Sequence, residues 1–168
     1  MVTPVRSRLS FYVHICYTIV FMKTIWDPGC RQELLSRFEK LTPDARPAWG
    51  QMTSAQMLAH LADPLKAAMG SKAVAVKPSA FSNPVVRTLI IYYLPWPKGA
   101  PTAPEFIHDH EEYFGDNLTA LHATLEEFVA SGDSARREPH PAFGQLSGKA
   151  WGRLIYRHLD HHLRQFGI

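Results

Sequence analysis

Apolar residues in this chain recur every three or four positions, in segments bounded by prolines and helix-capping residues. No segment of comparable strength alternates with the period of two that a half-buried strand needs. That pattern restricts the chain to helices joined by loops. Asp27-Pro28 is an N-cap with proline at the first helical position, and Leu34, Leu35, Phe38 and Leu41 then give a first helix over Cys30–Leu41. The stretch 42–47, with Pro43 and Pro47, ends it. Thr53 and Gln56 form a capping box that opens a second helix, Ser54–Met69, with a kink expected where Pro64 removes the hydrogen bond to the His60 carbonyl. Asn83-Pro84 repeats the cap-plus-proline signal before Val85–Leu94, which is apolar nearly all round and reads as a buried helix.

Pro95, Pro97, Pro101 and Pro104 with Gly99 make 94–106 a connector and not a regular element. A fourth helix begins at Glu111 or Asp116 and runs to Ala130, with Leu118, Leu121, Leu125 and Phe128 as its buried stripe. Ser147 caps a last helix from Gly148 to about Phe166. Length and pattern together give one all-α domain, an up-and-down four-helix bundle with a proline-rich connector and extra short helices. Composition agrees, since 46% hydrophobic and 20% charged residues are close to globular averages.

Residues 1–21 read differently. Arg6 and Arg8 precede a run from Leu9 to Phe21 that is apolar and aromatic without a helical stripe or a small-residue cleavage site after it. The expectation is an upstream extension or weak leader, with Met22 as the natural start and the working domain at 22–168. Arg6 and Arg8 supply two of the net +3 charges, and the other basic residues are scattered, so no acidic partner, nucleic acid or stable membrane insertion is expected. Two cysteines, Cys16 and Cys30, build neither a disulfide framework nor a CxxC metal site, which fits a cytoplasmic setting. Cys30 reads as a buried filler, and Trp49, Trp96 and Trp151 as core aromatics.

The compositional anomaly is nine histidines. At about 100° per residue, Trp151, Leu154, Ile155, His158, His162 and Gln165 share one stripe of the last helix, with His161 at its margin and Arg153, Arg157 and Arg164 outside it. An i, i+4 pair puts two imidazoles one turn apart, as helices present nitrogen ligands to zinc or a similar ion, although HxxxH without an intervening Glu is weak evidence alone. A third ligand should come from a facing helix. His60, at the edge of the arc made by Met57, Leu61 and Leu65, is the best placed; His108 and His110 fall in a loop and His122 on an ordinary helix. Asp63 is positioned to orient the His60 ring. The competing reading of each histidine is a hydrogen-bonded core residue, and of Asp63 a solvated helix residue.

From Met22 onward the chain resembles a bacterial family of unknown function within the DinB/YfiT-like superfamily of metal-binding helical bundles. The resemblance is carried by Met22-Lys23-Thr24-Ile25-Trp26-Asp27-Pro28, by 46–52, by Gln56-Met57-Leu58-Ala59-His60-Leu61-Ala62-Asp63, by the proline connector, and by His158-Leu159-Asp160-His161-His162-Leu163-Arg164-Gln165-Phe166-Gly167. It implies a four-helix bundle with a divalent metal (zinc, nickel, iron or manganese) on His60, His158 and His162. It also implies a metal-dependent transferase using a low-molecular-weight thiol, or a hydrolase, acting on a small molecule. The other function the sequence supports is a non-catalytic binding module, with a structural metal or none, that forms homodimers through an apolar face such as Val85–Leu94.

Overall fold

The computed structural model describes residues 22–77, 79–99, 104–108 and 113–168, so the reading of residues 1–21 lies outside the described residues. Among the described residues there are five α-helices: α1 Pro28–Phe38, α2 Ser54–Ala68, α3 Pro84–Thr88, α4 Phe114–Ala130 and α5 Gly148–Gln165. Among the described residues there is no strand, and one isolated bridge pairs His140 with Gly144.

The caps form as their side chains dictate. Asp27 accepts from the Cys30 amide at 2.7 Å, Ser147 accepts from the Ala150 amide at 3.2 Å, and the Thr53–Gln56 capping box is closed in both directions. The α2 helix runs through Pro64 to Ala68, with Pro64 buried. Its strongest pairing is with α4, and α5 packs against α1 and α2. Trp151, Phe38, Phe128, Leu61 and Leu65 are almost wholly excluded from water, and each such aliphatic or aromatic side chain contributes about 2 kcal/mol through burial. Across the α1–α5 contact, Arg37 donates to Asp160 at 2.7 Å. Cys30 is buried, and burial pushes its thiol up, as a packing residue requires.

The Val85–Leu94 segment corrects the expectation of a buried regular helix. It is the short α3 followed by a π-helical turn, Leu89–Tyr93, and only Ile91 is buried, while Val85 and Tyr93 are 68% and 65% exposed. The physical reason lies on another element: Arg157 of α5 donates to the carbonyls of Ile90 at 2.6 Å, Ile91 at 3.1 Å and Leu94. A guanidinium that takes several carbonyls at once offsets the loss of regular helical bonds.

Before α5, His140 and Gly144 exchange backbone hydrogen bonds at 2.9 Å, and His140 Nδ1 accepts from the amides of Ala142 and Phe143. Its ring lies against Phe143 and Trp151. Burial pushes the imidazole down to about 4 from 6.5. Between those values the unfolded chain binds a proton that the folded chain refuses. Stability is therefore complete above pH 6.5 and is lost progressively as pH falls to about 4, by at most about 3 kcal/mol from this group. His140→Asn keeps an acceptor but does not titrate, so its melting temperature should fall less between pH 7 and pH 4 than that of the parent. Parallel curves would exclude His140 as the responsible group.

Candidate metal centre

The helices α2 and α5 bring His60, His158 and His162 together. The ring centroids of all three pairs are 4.9 Å apart, and one nitrogen from each ring lies within 4.8 Å of the others. The i, i+4 spacing on α5 and the buried face of α2 are sufficient to place them. His60 and His162 are buried, and His158 is half-buried.

Hydrogen bonds fix two of the three tautomers. His60 Nδ1 is 3.1 Å from the Phe106 carbonyl, which can only accept, so Nδ1 carries the hydrogen and Nε2 the lone pair. His162 Nδ1 is 2.7 Å from Gln165 Oε1. The amide orientation follows from its other end, where Gln165 Nε2 donates to the Trp49 carbonyl at 2.6 Å. His162 Nδ1 therefore donates as well, and its Nε2 is a lone pair. His60 Nε2 and His158 Nε2 are 3.0 Å apart, a contact that two facing lone pairs do not hold. A hydrogen on His158 or a shared cation must lie between them. Three nitrogens on a tetrahedral ion with bonds near 2.05 Å stand about 3.3 Å from one another; the His60–His158 pair at 3.0 Å is near that spacing, and all three nitrogens lie within 4.8 Å, close enough to hold a metal.

Burial keeps all three rings in the neutral form that ligation requires. It pushes His60 down, partly opposed by the Phe106 carbonyl. His158 is well below the usual imidazole range through burial and then the neighbouring His162. Burial and then His60 take His162 to about 3.

The surroundings differ from expectation at several positions. Asp63 is buried on α2, but it accepts from Lys72 at 2.6 Å and from His108 Nε2 at 2.9 Å, while the Phe106 carbonyl orients His60. Three residues along a helix bring Asp63 near His60, yet the turn Pro104–Phe106 reaches the ring nitrogen first. Trp151 is a core residue, as expected, whereas Trp49 and Trp96 are half-buried at the site: Trp96 lies 6.1 Å from His158, and both indoles lie 5.9 Å from His161. Arg157 stacks 5.2 Å over Trp96. His108, read as a loop residue, joins His60, Gln51, Met52, Gln56, Phe106 and Ile107 in lining a cavity of about 240 Å³. His122 stands apart against Phe38, and His110 lies outside the described residues.

Residues 32–167 match the family model described as "Protein of unknown function (DUF1569)". The chain belongs to this family. It matches no curated protein and no solved structure, and none of the comparisons links it to the DinB/YfiT-like superfamily. For this member of the DUF1569 family, the three histidines are close enough to hold a metal, and the fold is helical.

Proposed function

We propose that this DUF1569 chain is a metal-dependent enzyme of the DinB/YfiT-like four-helix-bundle type, with His60, His158 and His162 holding one divalent ion. The observation that carries the reading is the locked pair of tautomers: a backbone carbonyl on His60 and the Gln165 amide on His162 leave two Nε2 lone pairs on a buried three-nitrogen cluster. Bound there, a divalent ion supplies Lewis acidity that lowers the pKa of a water or thiol in an open fourth position.

A cavity of about 240 Å³ lies beside His60, without His158 or His162 in its walls, and offers the His108 imidazole and the carboxamides of Gln51 and Gln56. Asp63 holds His108 by Nε2, and the Gln56 amide donates to the His108 carbonyl at 2.8 Å, so both the ring and the backbone of His108 are placed. A small electrophile attacked by water or a low-molecular-weight thiol is the substrate class this supports, in a cytoplasmic protein. No helix among the described residues is long and apolar enough to cross a membrane.

Metal analysis of protein purified under metal-replete conditions tests the reading. Stoichiometric zinc, nickel, iron or manganese is expected in the parent and none in His60→Ala; no metal in either would end it. A parent that binds metal but turns over neither thiol-plus-electrophile mixtures nor simple esters and amides would instead favour the non-catalytic module. The exposed Val85, Leu89 and Tyr93 give that module its homodimer face, and sedimentation of the parent against Tyr93→Glu would show whether the face is used.

A further inference from the structure

Gln165 closes the last turn of α5, three residues beyond His162, and is 5% exposed. Its carboxamide is engaged at both ends, by the Trp49 carbonyl at 2.6 Å and by His162 Nδ1 at 2.7 Å. The loop ahead of α2 grips the same residue a second time, since the Ala48 amide donates to the Gln165 backbone carbonyl at 2.7 Å. Gly50 completes the arrangement. Its φ of 79° lies in the left-handed region, and a Cβ at this position would stand 2.6 Å from Gln165 Nε2. The loop backbone is therefore pressed against the amide more closely than any side chain would allow.

We propose that Gln165 is a positioning residue for metal binding: it takes its orientation from the Trp49–Gly50 backbone and holds His162 with Nε2 directed at His60 and His158. The inference rests on the metal-centre reading above and extends it to a residue that does not itself ligate. An amide suits the role because its two ends differ. The Trp49 carbonyl admits only a donor, which forces the Gln165 oxygen toward His162 and the His162 hydrogen onto Nδ1. A carboxylate at 165 would set oxygen against the Trp49 carbonyl, and an apolar side chain would leave His162 without its acceptor. Loop position and ligand orientation thus form one mechanical unit, although the loop contributes no ligand.

The test compares the full-length parent with Gln165→Met, which keeps the volume and removes both hydrogen bonds, and with Gly50→Ala, which displaces the amide without deleting it. Zinc affinity measured by chelator competition should fall about 10- to 100-fold in both, the range for loss of a group that orients a metal-bound histidine. In the metal-free protein, ¹⁵N resonances of His162 should report the Nδ1–H tautomer in the parent and a mixture with Nε2–H in Gln165→Met. A residue that merely tied down the loop would leave that tautomer unchanged. Zinc affinity within twofold of the parent in Gln165→Met, or an unaltered His162 tautomer, would overturn the proposal. If Gln165→Met does not fold, an unchanged affinity in Gly50→Ala overturns it. A parent that binds no metal refutes the metal-centre reading instead, and the ¹⁵N measurement still decides whether Gln165 orients His162.

Discussion

Zinc affinity in His158→Ala is expected to fall by well over 100-fold, the upper end of what residues behind the ligands contribute, while the helical fold is retained. His158 is the ring common to the closest contact, at 3.0 Å from His60 Nε2, and to the i, i+4 pair with His162. Its removal leaves two imidazoles whose centroids are 4.9 Å apart and whose tautomers remain set by Phe106 and Gln165. Two ligands without a third do not retain a structural or catalytic ion of this kind. His158 is half-buried, so truncating it costs less packing than truncating a core residue. Thermal shift gives a second readout. A ligand at 100 times its Kd stabilises by about 2.7 kcal/mol, which at this chain length raises the melting temperature by about 8 °C. The parent should show that rise with zinc and His158→Ala should not. Equal zinc shifts in the two proteins would place the metal elsewhere. Burial gives the expected pH dependence: rings held neutral by desolvation keep their lone pairs available below pH 6.5, so zinc should remain bound at pH values where exposed histidines compete with protons.

Those parts of the site that follow from helical periodicity were legible in the sequence. His158 and His162 share a face because 3.6 residues per turn puts them there, and His60 belongs to the buried arc of α2 for the same reason. Gln165 was visible as a polar residue on the buried stripe, and a buried amide three residues from a proposed ligand was the signal of its role. What a one-dimensional pattern does not carry is contact between a helix and a distant irregular segment. His108 meets Asp63 across 45 positions, and the Phe106 carbonyl meets His60 across 46. Neither has a period, and a backbone carbonyl has no residue type by which to recognise it. The Val85–Leu94 stretch misled for a related reason. Hydrophobicity all round a segment implies burial only when other elements cover it, and here Arg157 holds the backbone while Val85 and Tyr93 face water. Of the tryptophans read as core, Trp96 is half-buried against the core and also lies 6.1 Å from His158, while Trp49 is half-buried beside His161.

Gly152→Ala should destabilise the protein by more than 3 kcal/mol, about 10 °C in melting temperature for a chain of this size, though alanine is the better helix former. Gly152 sits one residue beyond Trp151 in the first half of α5, on a face pressed against the segment that enters α1. A Cβ there would overlap the Trp26 indole and approach Thr24 Oγ1 at 2.7 Å. The indole is half-buried and tied in place. Its Nε1 donates to the Gly148 carbonyl at 2.9 Å, its ring stacks on Phe128 with centroids 5.2 Å apart, and the neighbouring Ile25 amide donates to the Gly152 carbonyl at 3.1 Å. One added methyl group therefore strains a hydrogen bond, a ring stack and a backbone contact together. A second substitution separates this account from a general intolerance of α5 to change. Trp26→Ala destabilises alone by vacating the indole's place, and in that background Gly152→Ala should cost less than 1 kcal/mol, because the methyl group enters the space the ring has left. Additive costs in the double variant would mean that Trp26 is not the obstacle, leaving Thr24 Oγ1 or the α5 backbone itself as the reason for the glycine.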